Sequence, residues 1–479
     1  MDPNVWERVR AQRARVEAAF RRRWPIIVGL AIVLVIGAFA VPRAATRAPA
    51  AEPVDGATPG ASDAVALAAS SETAATEPEP ALGTDIPVTT EVATRPVDPA
   101  LLAVSATPVE TPVPKPDAVR GIYLNVWAAA SQAKRTRLMD LADRTELNAF
   151  VIDVKDATGM VSFPSTIPLV ARIGARGERR VADMREFLSE LRRRRIYPIA
   201  RIVVFRDPVL AKARPQWAMR RGDGSIWTDR YGDVWVDPYN RNVWDYNIAV
   251  ALEALALGFS EIQWDYVRFP DSPARLMKDV VYPAAEARTK AQAITEFLRY
   301  SRERVREHHP EALVTADVFG LTTSVVGDMG IGQDWSEMVD ATDALLPMVY
   351  PSHYVRGSYG VAYPNGEPYE IVRTALEAGV RRRGESEDLA AIRPWLQDFS
   401  LGEPEYGPAH VRAQIEATYD AGLDEWVLWN PASNYSAEAL ADKRGRAPDF
   451  ALPHWTPGME PPDSPGLRLL GMPADSIGG

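Results

Sequence analysis

The 479-residue sequence contains no cysteine and only five histidines. The absence of cysteine excludes disulfide frameworks, thiolate zinc sites and a cysteine nucleophile, and it is compatible with export from the cell. Two histidines are adjacent, at His308 and His309, but the sequence has no HExxH motif or other close spacing of histidine and carboxylate ligands. We therefore expect neither a cofactor nor a dedicated metal site.

Basic residues are outnumbered, with 54 Lys and Arg against 64 Asp and Glu, which gives a formal net charge of −10. Nucleic-acid binding depends on a concentrated basic surface, so this balance argues against a nucleic-acid partner. The sequence also has no glycine-rich phosphate turn after its first predicted strand and no GxSxG serine elbow. A nucleotide-binding protein, an esterase and a metal-dependent deacetylase are therefore disfavoured.

The N-terminal segment combines clustered positive charge with an uncharged apolar run. Residues 1–23 carry seven arginines, and no charged residue occurs from Trp24 to Val41. Such a run at ~1.5 Å per residue covers most of a ~30 Å hydrocarbon core, and the positive-inside rule keeps the arginines in the cytoplasm. We predict a transmembrane signal anchor at residues 24–42 in a bacterial cytoplasmic membrane, with the remaining chain outside. Secretion after signal cleavage near Ala45 is the alternative.

Residues 43–116 are rich in Ala, Pro, Thr and Glu. This composition buries too little apolar area to offset chain entropy, and it predicts a disordered tether. The folded domain is expected at residues 117–455, followed by a C-terminal tail at residues 456–479.

After Pro116, short apolar runs alternate with amphipathic segments, which is typical of βα units and a parallel sheet. Eight strands, the number that closes a barrel, are predicted at Gly121–Trp127, Ala149–Lys155, Tyr197–Phe205, Glu261–Val267, Leu313–Phe319, Ala344–Tyr350, Pro394–Asp398 and Trp426–Trp429. We therefore predict an α/β fold, a (β/α)₈ TIM barrel. An open doubly wound sheet is the alternative.

The predicted helices show apolar residues at helical spacing, for example Met184, Phe187, Leu188 and Leu191. Glycines at 258, 379 and 422 are expected to mark the ends of three helices, whereas the fifth helix, around Trp335–Thr342, has a weak pattern.

The interval 206–242 is too long for a simple βα connection. It contains Trp217, Trp227, Tyr231, Trp235 and Tyr239. Such rings suit the apolar faces of sugars along a groove, but they could equally pack the insertion against the barrel.

In a barrel of this kind, active-site groups follow the C-terminal ends of the strands. Those ends are unusually polar here, and several carboxylates converging on one pocket suggest function, with arginines as compensating charges. The residues expected to bind substrate are Asp153, Lys155, Asp156, Arg201, Asp237, Arg268, Tyr350, His353, Gln397, Asp398 and Asn430.

Asp265 and Asp317 form the best catalytic pair on the sequence evidence. Glycosidic hydrolysis needs one protonated carboxyl group and one ionised carboxylate across the bond. The two aspartates end adjacent predicted strands, and strand alternation turns both toward the barrel interior.

Seven segments between roughly Val119 and Tyr435 read RGIYLNVWAAAS, NAFVIDVKDATGMVSFPS, WVDPYNRNVWDYNIAVALEALALGFSEIQWDYVRFP, TADVFGLTT, LLPMVYPSHY, WLQDFS and WVLWNPASNY. These segments resemble a bacterial family of glycosyl hydrolase domains, which are TIM barrels related to the α-amylase-like enzymes. The DYVRFP block with the preceding WVDPYN, which contains Asp237, is the most specific part of the resemblance.

The resemblance implies roles for the aspartates. In α-amylase-like barrels an Asp ending the fourth strand is the nucleophile, which corresponds to Asp265, and a Glu ending the fifth strand is the acid. This chain has Asp317 in place of that Glu, so the acid could instead come from Asp398.

Two hypotheses remain open from the sequence. The first is a glycoside hydrolase that acts on an envelope or extracellular polysaccharide. The second is a membrane-anchored barrel that binds carbohydrate without turnover.

Overall fold

The computed structural model describes residues 89–105, 111–176, 180–272 and 274–454. The predicted cytoplasmic segment, the membrane anchor at residues 24–42 and the tail at residues 456–479 lie outside the described residues. Within the described ranges, no helix has the length and apolar character needed to cross a membrane.

The described residues form a closed parallel barrel, as predicted. Each of the eight strands pairs in parallel with its neighbours, β1 pairs with β8, and β6 pairs with β7 through Met348 and Trp395. This closure excludes an open doubly wound sheet. The strands are β1 (Arg120–Leu124), β2 (Ala149–Lys155), β3 (Tyr197–Val203), β4 (Glu261–Asp265), β5 (Leu313–Phe319), β6 (Ala344–Met348), β7 (Trp395–Gln397) and β8 (Trp426–Trp429).

Five of the eight strands end earlier than predicted because the chain turns sharply at the barrel mouth. After β1, Asn125 caps the next helix with its side chain. After β4, Tyr266 adopts a positive φ of 49°. Apolar sequence continues past both points, so its pattern did not mark the turns.

The helices surround the barrel, and several have clear end signals. The helix Arg241–Leu257 ends at Gly258, whose φ is 118°, and Thr289 with Gln292 forms a capping box before the helix Lys290–His308. The described α-helices are α1 (Thr90–Thr94), α2 (Val126–Ala130), α3 (Gln132–Arg144), α4 (Pro168–Arg172), α5 (Met184–Arg193), α6 (Pro208–Ala213), α7 (Arg241–Leu257), α8 (Ala274–Met277), α9 (Lys290–His308), α10 (Trp335–Met338), α11 (Pro368–Arg383) and α12 (Pro408–Asp420).

Two helix predictions have different outcomes. The weak fifth helix is confirmed, since α10 has only four residues. The expected stop at Gly379 is wrong, because α11 continues through it to Gly384. Gly379 instead allows a close approach, since a Cβ there would lie 3.2 Å from Thr323 and Trp335.

Short elements complete the described fold. Ala391–Ile392 pairs with β6, and Arg220–Arg221 pairs antiparallel with Val280–Val281. The 3₁₀ helices are Pro99–Leu102, Pro215–Trp217, Gly320–Thr323, Pro351–His353, Ser358–Gly360, Pro364–Gly366 and Ala437–Ala439.

The insertion at 206–242 packs against the barrel. Trp217, Trp227, Trp235 and Tyr239 are all buried, and the Trp227 indole N–H donates to the Leu276 carbonyl at 3.0 Å. Of the two alternatives left open by the sequence, packing against the barrel therefore holds for these four rings, because they form the core of the insertion.

Residues 89–105 were expected to belong to the disordered tether, but they fold onto α7. Asn240 donates to the Ala93 carbonyl at 2.8 Å, Asn242 accepts from the Val97 amide at 2.8 Å, and Leu101 is buried. Side chains of α7 thus replace water as partners for this backbone. The residues that hold this segment, Asn240 and Asn242, come later in the sequence, so the composition of the segment itself did not predict that it folds.

Polar residues occupy both ends of the barrel interior, separated by an apolar middle. That middle includes Val151, Ile199, Leu346 and Val427. The N-terminal end contains a buried charged group that we call the floor cluster, formed by Lys115, Glu261, Arg393 and Glu425.

Candidate active site

Four charged side chains gather inside the barrel at its C-terminal end. β2 contributes Asp153, β3 Arg201, β4 Asp265 and β5 Asp317, and we call this group the mouth cluster. Trp264 is in register with Ala316, which brings the next residues, Asp265 and Asp317, side by side on adjacent strands. All four residues are at most 8% exposed.

Arg201 joins two of the carboxylates. Its Nε donates to Asp265 Oδ2 at 3.0 Å, Nη2 contacts the same oxygen, and Nη1 contacts Asp153. Burial opposes the positive charge, but the charges of Asp153 and Asp265 outweigh it and raise the pKa of Arg201 well above its usual value. The ion pair places a positive charge directly against the Asp265 carboxylate.

Asp317 has no such cationic contact in its hydrogen-bond set. Gln263 Nε2 and Trp395 Nε1 both donate to its Oδ1 at 2.7 Å. Burial, followed by the charge of Asp265, raises the pKa of Asp317 well above its usual value. Because both hydrogen bonds end on Oδ1, Oδ2 is the oxygen that can carry the proton.

Aromatic rings flank the mouth cluster on two sides. Tyr123 donates to Asp153 at 2.6 Å and stacks on Trp429, with ring centroids 4.0 Å apart. On the other side, burial and then the charges of Asp317 and Asp265 raise the pKa of Tyr350 well above its usual value. Tyr350 therefore lies close enough to both aspartates to sense their charge.

The residue after Asp265 is held in a strained conformation. Tyr266 has a φ of 49°, and its backbone N–H donates to Asp265 Oδ1 at 2.6 Å. Its hydroxyl accepts from Arg206 at 2.9 Å, and the Arg268 guanidinium lies 4.9 Å from its ring centroid. These contacts fix the orientation of the Asp265 carboxylate. Arg268, a predicted binding residue, thus supports the β4 turn.

Two predicted binding residues lie away from the mouth cluster. Lys155 is fully buried and forms an ion pair with Asp207 at 2.6 Å, because a β-bulge next to it shifts its register on β2. Asp237 is also fully buried, and it accepts from the Tyr239 and Ala284 amides. Neither is available to a substrate, so both predictions are corrected. Burial raises the pKa of Asp237 to about 7.

Three further predicted residues hold loops at the mouth. Gln397 accepts from Ser352, whose hydroxyl lies 3.1 Å from His353 Nδ1. Asp398 accepts from the amide and hydroxyl of Ser436, and burial raises its pKa to about 6.

Asn430 donates to the Asp398 carbonyl and accepts from the Ala432 amide at 2.9 Å. Asp398 is therefore committed to the loop after β8, which argues against it as the acid. The imidazole of His353 is exposed and lies against Phe399.

Asp156 lies at the rim, where it pairs with Arg180 at 3.5 Å. It is near enough to Asp153 to act on it electrostatically. In the part of the chain that the structure describes, no group of three or more His, Cys, Asp or Glu side chains is arranged to hold a metal ion.

Several members of the site were not predicted from the sequence. Tyr123, Trp395 and Trp429 belong to alternating apolar strands and looked like core residues. Gln263 lies two residues before Asp265, so strand alternation places both side chains on the inward face. The sequence does not show, however, that Gln263 donates to Asp317. Only the closed barrel brings Trp395 on β7 to Asp317 on β5.

A family model described as "Putative glycosyl hydrolase domain" matches residues 121–435, from β1 to the loop after β8. A search of curated proteins gives no match.

Three solved structures are similar to parts of the chain. A hypothetical protein from Ruminiclostridium thermocellum is 38% identical over 41% of this chain and 97% of its own, with a TM-score of 0.37. The PgaB (BpsB) glycoside hydrolase domain from Bordetella bronchiseptica is 12% identical over 68% and 99%, with a TM-score of 0.49. The α-galactosidase TtGalA from Thermus thermophilus is 15% identical over 69% and 60%, with a TM-score of 0.40. The family model spans most of the barrel, whereas these likenesses are partial.

Proposed function

We propose that this chain, which belongs to the glycosyl hydrolase domain family and is therefore a glycoside hydrolase, cleaves an envelope or extracellular polysaccharide with Asp265 and Asp317 as its catalytic pair. One observation carries the choice of residues. Two adjacent aspartates at the barrel mouth differ in environment, since Arg201 compensates Asp265 whereas burial and the charge of Asp265 raise the pKa of Asp317. Two carboxyl groups in opposite protonation states are what glycosidic hydrolysis requires.

In the proposed reaction, Asp317 donates its proton to the glycosidic oxygen as the bond to the anomeric carbon breaks. The ionised Asp265 attacks that carbon from the other side, or it removes a proton from an attacking water. Water supplies the hydroxyl of the new reducing end and the proton that restores Asp317. Gln263 and Trp395 hold Asp317 Oδ1 in place, which leaves Oδ2 for the proton transfer.

The surrounding residues have distinct proposed roles. Arg201 and the Tyr266 amide orient the Asp265 carboxylate. Tyr350 lies near both aspartates and is suited to bind a hydroxyl group of the sugar at the cleavage point. Trp429, stacked on Tyr123, offers a partly exposed ring face to the same sugar.

The proposed location is the outer side of the bacterial cytoplasmic membrane, with residues 24–42 as the anchor. The seven arginines before this segment support that orientation. Protease added to intact spheroplasts should degrade the barrel, whereas a tag placed before residue 24 should survive. Survival of the barrel would contradict this topology, and recovery of the chain in the culture medium would support signal cleavage instead.

The enzymatic proposal is tested with the full-length chain purified in detergent. It should release new reducing ends from at least one member of a panel of cell-wall glycans and exopolysaccharides. Asp265→Asn and Asp317→Asn should each abolish that release. The matched control is Asp245→Asn, which removes a carboxylate on the outer helix α7 that accepts from Tyr300.

The outcomes separate the two hypotheses. Binding of a glycan without any new reducing ends would favour the carbohydrate-binding barrel. Full activity of Asp265→Asn on a glycan that the unsubstituted chain cleaves would rule out the proposed pair.

A further inference from the structure

Tryptophan exposure is unevenly distributed in this protein. Ten of its tryptophans lie in the described residues, and eight of these are buried. Trp429 is partly exposed beside the mouth cluster, and Trp127 is 66% exposed. Both exposed rings therefore belong to the C-terminal end of the barrel, at β8 and directly after β1.

The backbone around Trp127 is firmly anchored, although its side chain is not. Asn125 caps α2 at the Ala128 amide and donates to the Pro431 carbonyl, both at 2.8 Å. Val126 and Ala128 on either side of Trp127 are buried. The ring thus stands out from a fixed support between the ends of β1 and β8.

One face of the Trp127 ring is occupied by a cation. The Arg180 guanidinium carbon lies 4.8 Å from the ring centroid, and Arg180 pairs with Asp156 at 3.5 Å. Asp156 in turn follows β2 and acts electrostatically on Asp153 of the mouth cluster. Contacts therefore join the exposed ring to Asp156, which lies within electrostatic reach of the mouth cluster.

We propose that Trp127, Arg180 and Asp156 form a sugar-binding subsite at the rim, which holds a pyranose unit of the polysaccharide some distance from the cleavage point. The open face of the indole stacks on the C–H face of the sugar. Arg180 and Asp156 beside it donate to and accept from the ring hydroxyls. This subsite rests on the proposed function, because it binds another part of the same substrate.

A rim subsite predicts a dependence on chain length. A short oligomer that fills the mouth does not reach Trp127, whereas a long one does. Trp127→Ala should therefore weaken binding of long oligomers about tenfold, the scale expected for losing one stacked ring, and leave short oligomers within about twofold. Trp127→Phe should recover most of the loss, because it restores an aromatic face.

The test uses oligomers of two to six units of β-1,4-linked glucose, β-1,4-linked N-acetylglucosamine and α-1,4-linked glucose. Their dissociation constants are measured by calorimetry with the full-length Asp265→Asn chain, with and without Trp127→Ala, so that turnover does not interfere. The control is Val326→Ala, which trims another exposed apolar side chain in the loop after β5. When Asp265 is left intact, Trp127→Ala should raise KM for long oligomers and leave kcat unchanged.

Each outcome decides one of the two proposals. If Trp127→Ala weakens the binding of long oligomers but not of short ones, the subsite is supported. This holds even if the unsubstituted chain hydrolyses none of them and the enzymatic proposal fails. Unchanged binding of long oligomers by Trp127→Ala overturns the subsite and leaves the enzymatic proposal intact. Failure of every oligomer to bind overturns the subsite, and failure of hydrolysis in addition overturns both.

Discussion

The mouth cluster and the floor cluster use the same device at opposite ends of the barrel interior. In each, a buried arginine lies between two carboxylates. Arg201 contacts Asp153 and Asp265 at the mouth. Arg393 contacts Glu261 at 2.6 Å and Glu425 at 2.8 Å on the floor.

The two clusters differ in their balance of charge. The floor cluster has a second cation, Lys115, which pairs with Glu425, so two cations face two carboxylates. The mouth cluster has a third carboxyl group, Asp317, and its strands supply one arginine for three acids. A buried group with excess acid is costly unless one acid is neutral, and the raised pKa of Asp317 reflects this.

This difference teaches how one fold separates stability from chemistry. In a balanced buried network, every charged group has a partner, so no carboxyl group is set apart for chemistry. Removing one member leaves an unpaired buried charge. An unbalanced network keeps a proton that can be donated. We therefore expect substitutions at the mouth to affect turnover, and substitutions on the floor to affect folding.

The largest expected effect is at the mouth. Asp265→Asn should lower kcat/KM by about four orders of magnitude, equivalent to about 5 kcal/mol, because the reaction loses its ionised carboxylate. The melting temperature should stay close to that of the unsubstituted chain. Reducing-end release and thermal unfolding of the same preparation check this. Loss of folding in parallel with loss of activity would contradict the separation.

In the floor cluster we expect an effect of similar size, but on stability and not on turnover. Arg393→Met should lower the free energy of unfolding by about 3–5 kcal/mol, since it leaves Glu261 and Glu425 buried without their partner. Urea unfolding measures this loss, and kcat/KM of the folded fraction should stay within about threefold. Adding Glu261→Gln and Glu425→Gln should recover part of the stability, which a purely steric effect of the introduced methionine would not allow.

A smaller effect is expected from Tyr350→Phe, which removes only a hydroxyl near the two aspartates. We expect kcat/KM to fall about 10- to 100-fold, the scale of one polar contact to the substrate, with little change in stability. Steady-state kinetics and thermal unfolding test this. An unchanged kcat/KM would place the Tyr350 hydroxyl outside the substrate contacts.

The sequence allowed much of this architecture to be predicted, because each strand is a local pattern. β2, β5 and β8 have the predicted bounds, and Asp265 and Asp317 could be assigned to neighbouring strands from alternation alone. Arg201, at the end of the third predicted strand, was predicted as a compensating charge because several carboxylates converge there.

The remaining features depend on contacts that no local pattern encodes. Lys155 looked like a mouth residue until the bulge on β2 turned it toward Asp207. The floor cluster joins Glu261, Arg393 and Glu425, which are distant in sequence, and only closure of the barrel brings them together. Asp317 likewise obtains a hydrogen bond from Trp395, 78 residues away.

A weaker effect, which distinguishes the clusters by sign, concerns the pH dependence of stability. The raised pKa of Asp317 means that the folded state holds a proton that the unfolded chain has lost, so the mouth destabilises the fold as pH rises above about 4. Although burial opposes it, Arg393 lowers the pKa of Glu425, so the floor destabilises the fold as pH falls below about 4.5.

Each group can contribute a slope of up to about 1.4 kcal/mol per pH unit. Urea unfolding from pH 3 to pH 8 should show the alkaline decline reduced in Asp317→Asn and the acid decline reduced in Glu425→Gln. If either substitution altered the opposite limb, the assignment of the two limbs to the two clusters would be wrong.

The smallest expected effect sharpens the balance of the floor cluster. Lys115 pairs with Glu425 through a side chain that is 35% exposed, whereas that of Arg393 is fully buried. Water therefore screens the lysine, and Lys115→Met should lower the free energy of unfolding by less than about 1 kcal/mol, most clearly at low salt. Urea unfolding at two salt concentrations measures this loss. A loss as large as that of Arg393→Met would mean that Lys115 is needed to neutralise the floor cluster. The difference between the floor cluster and the mouth cluster would then depend on charge balance alone, and burial would make no separate contribution.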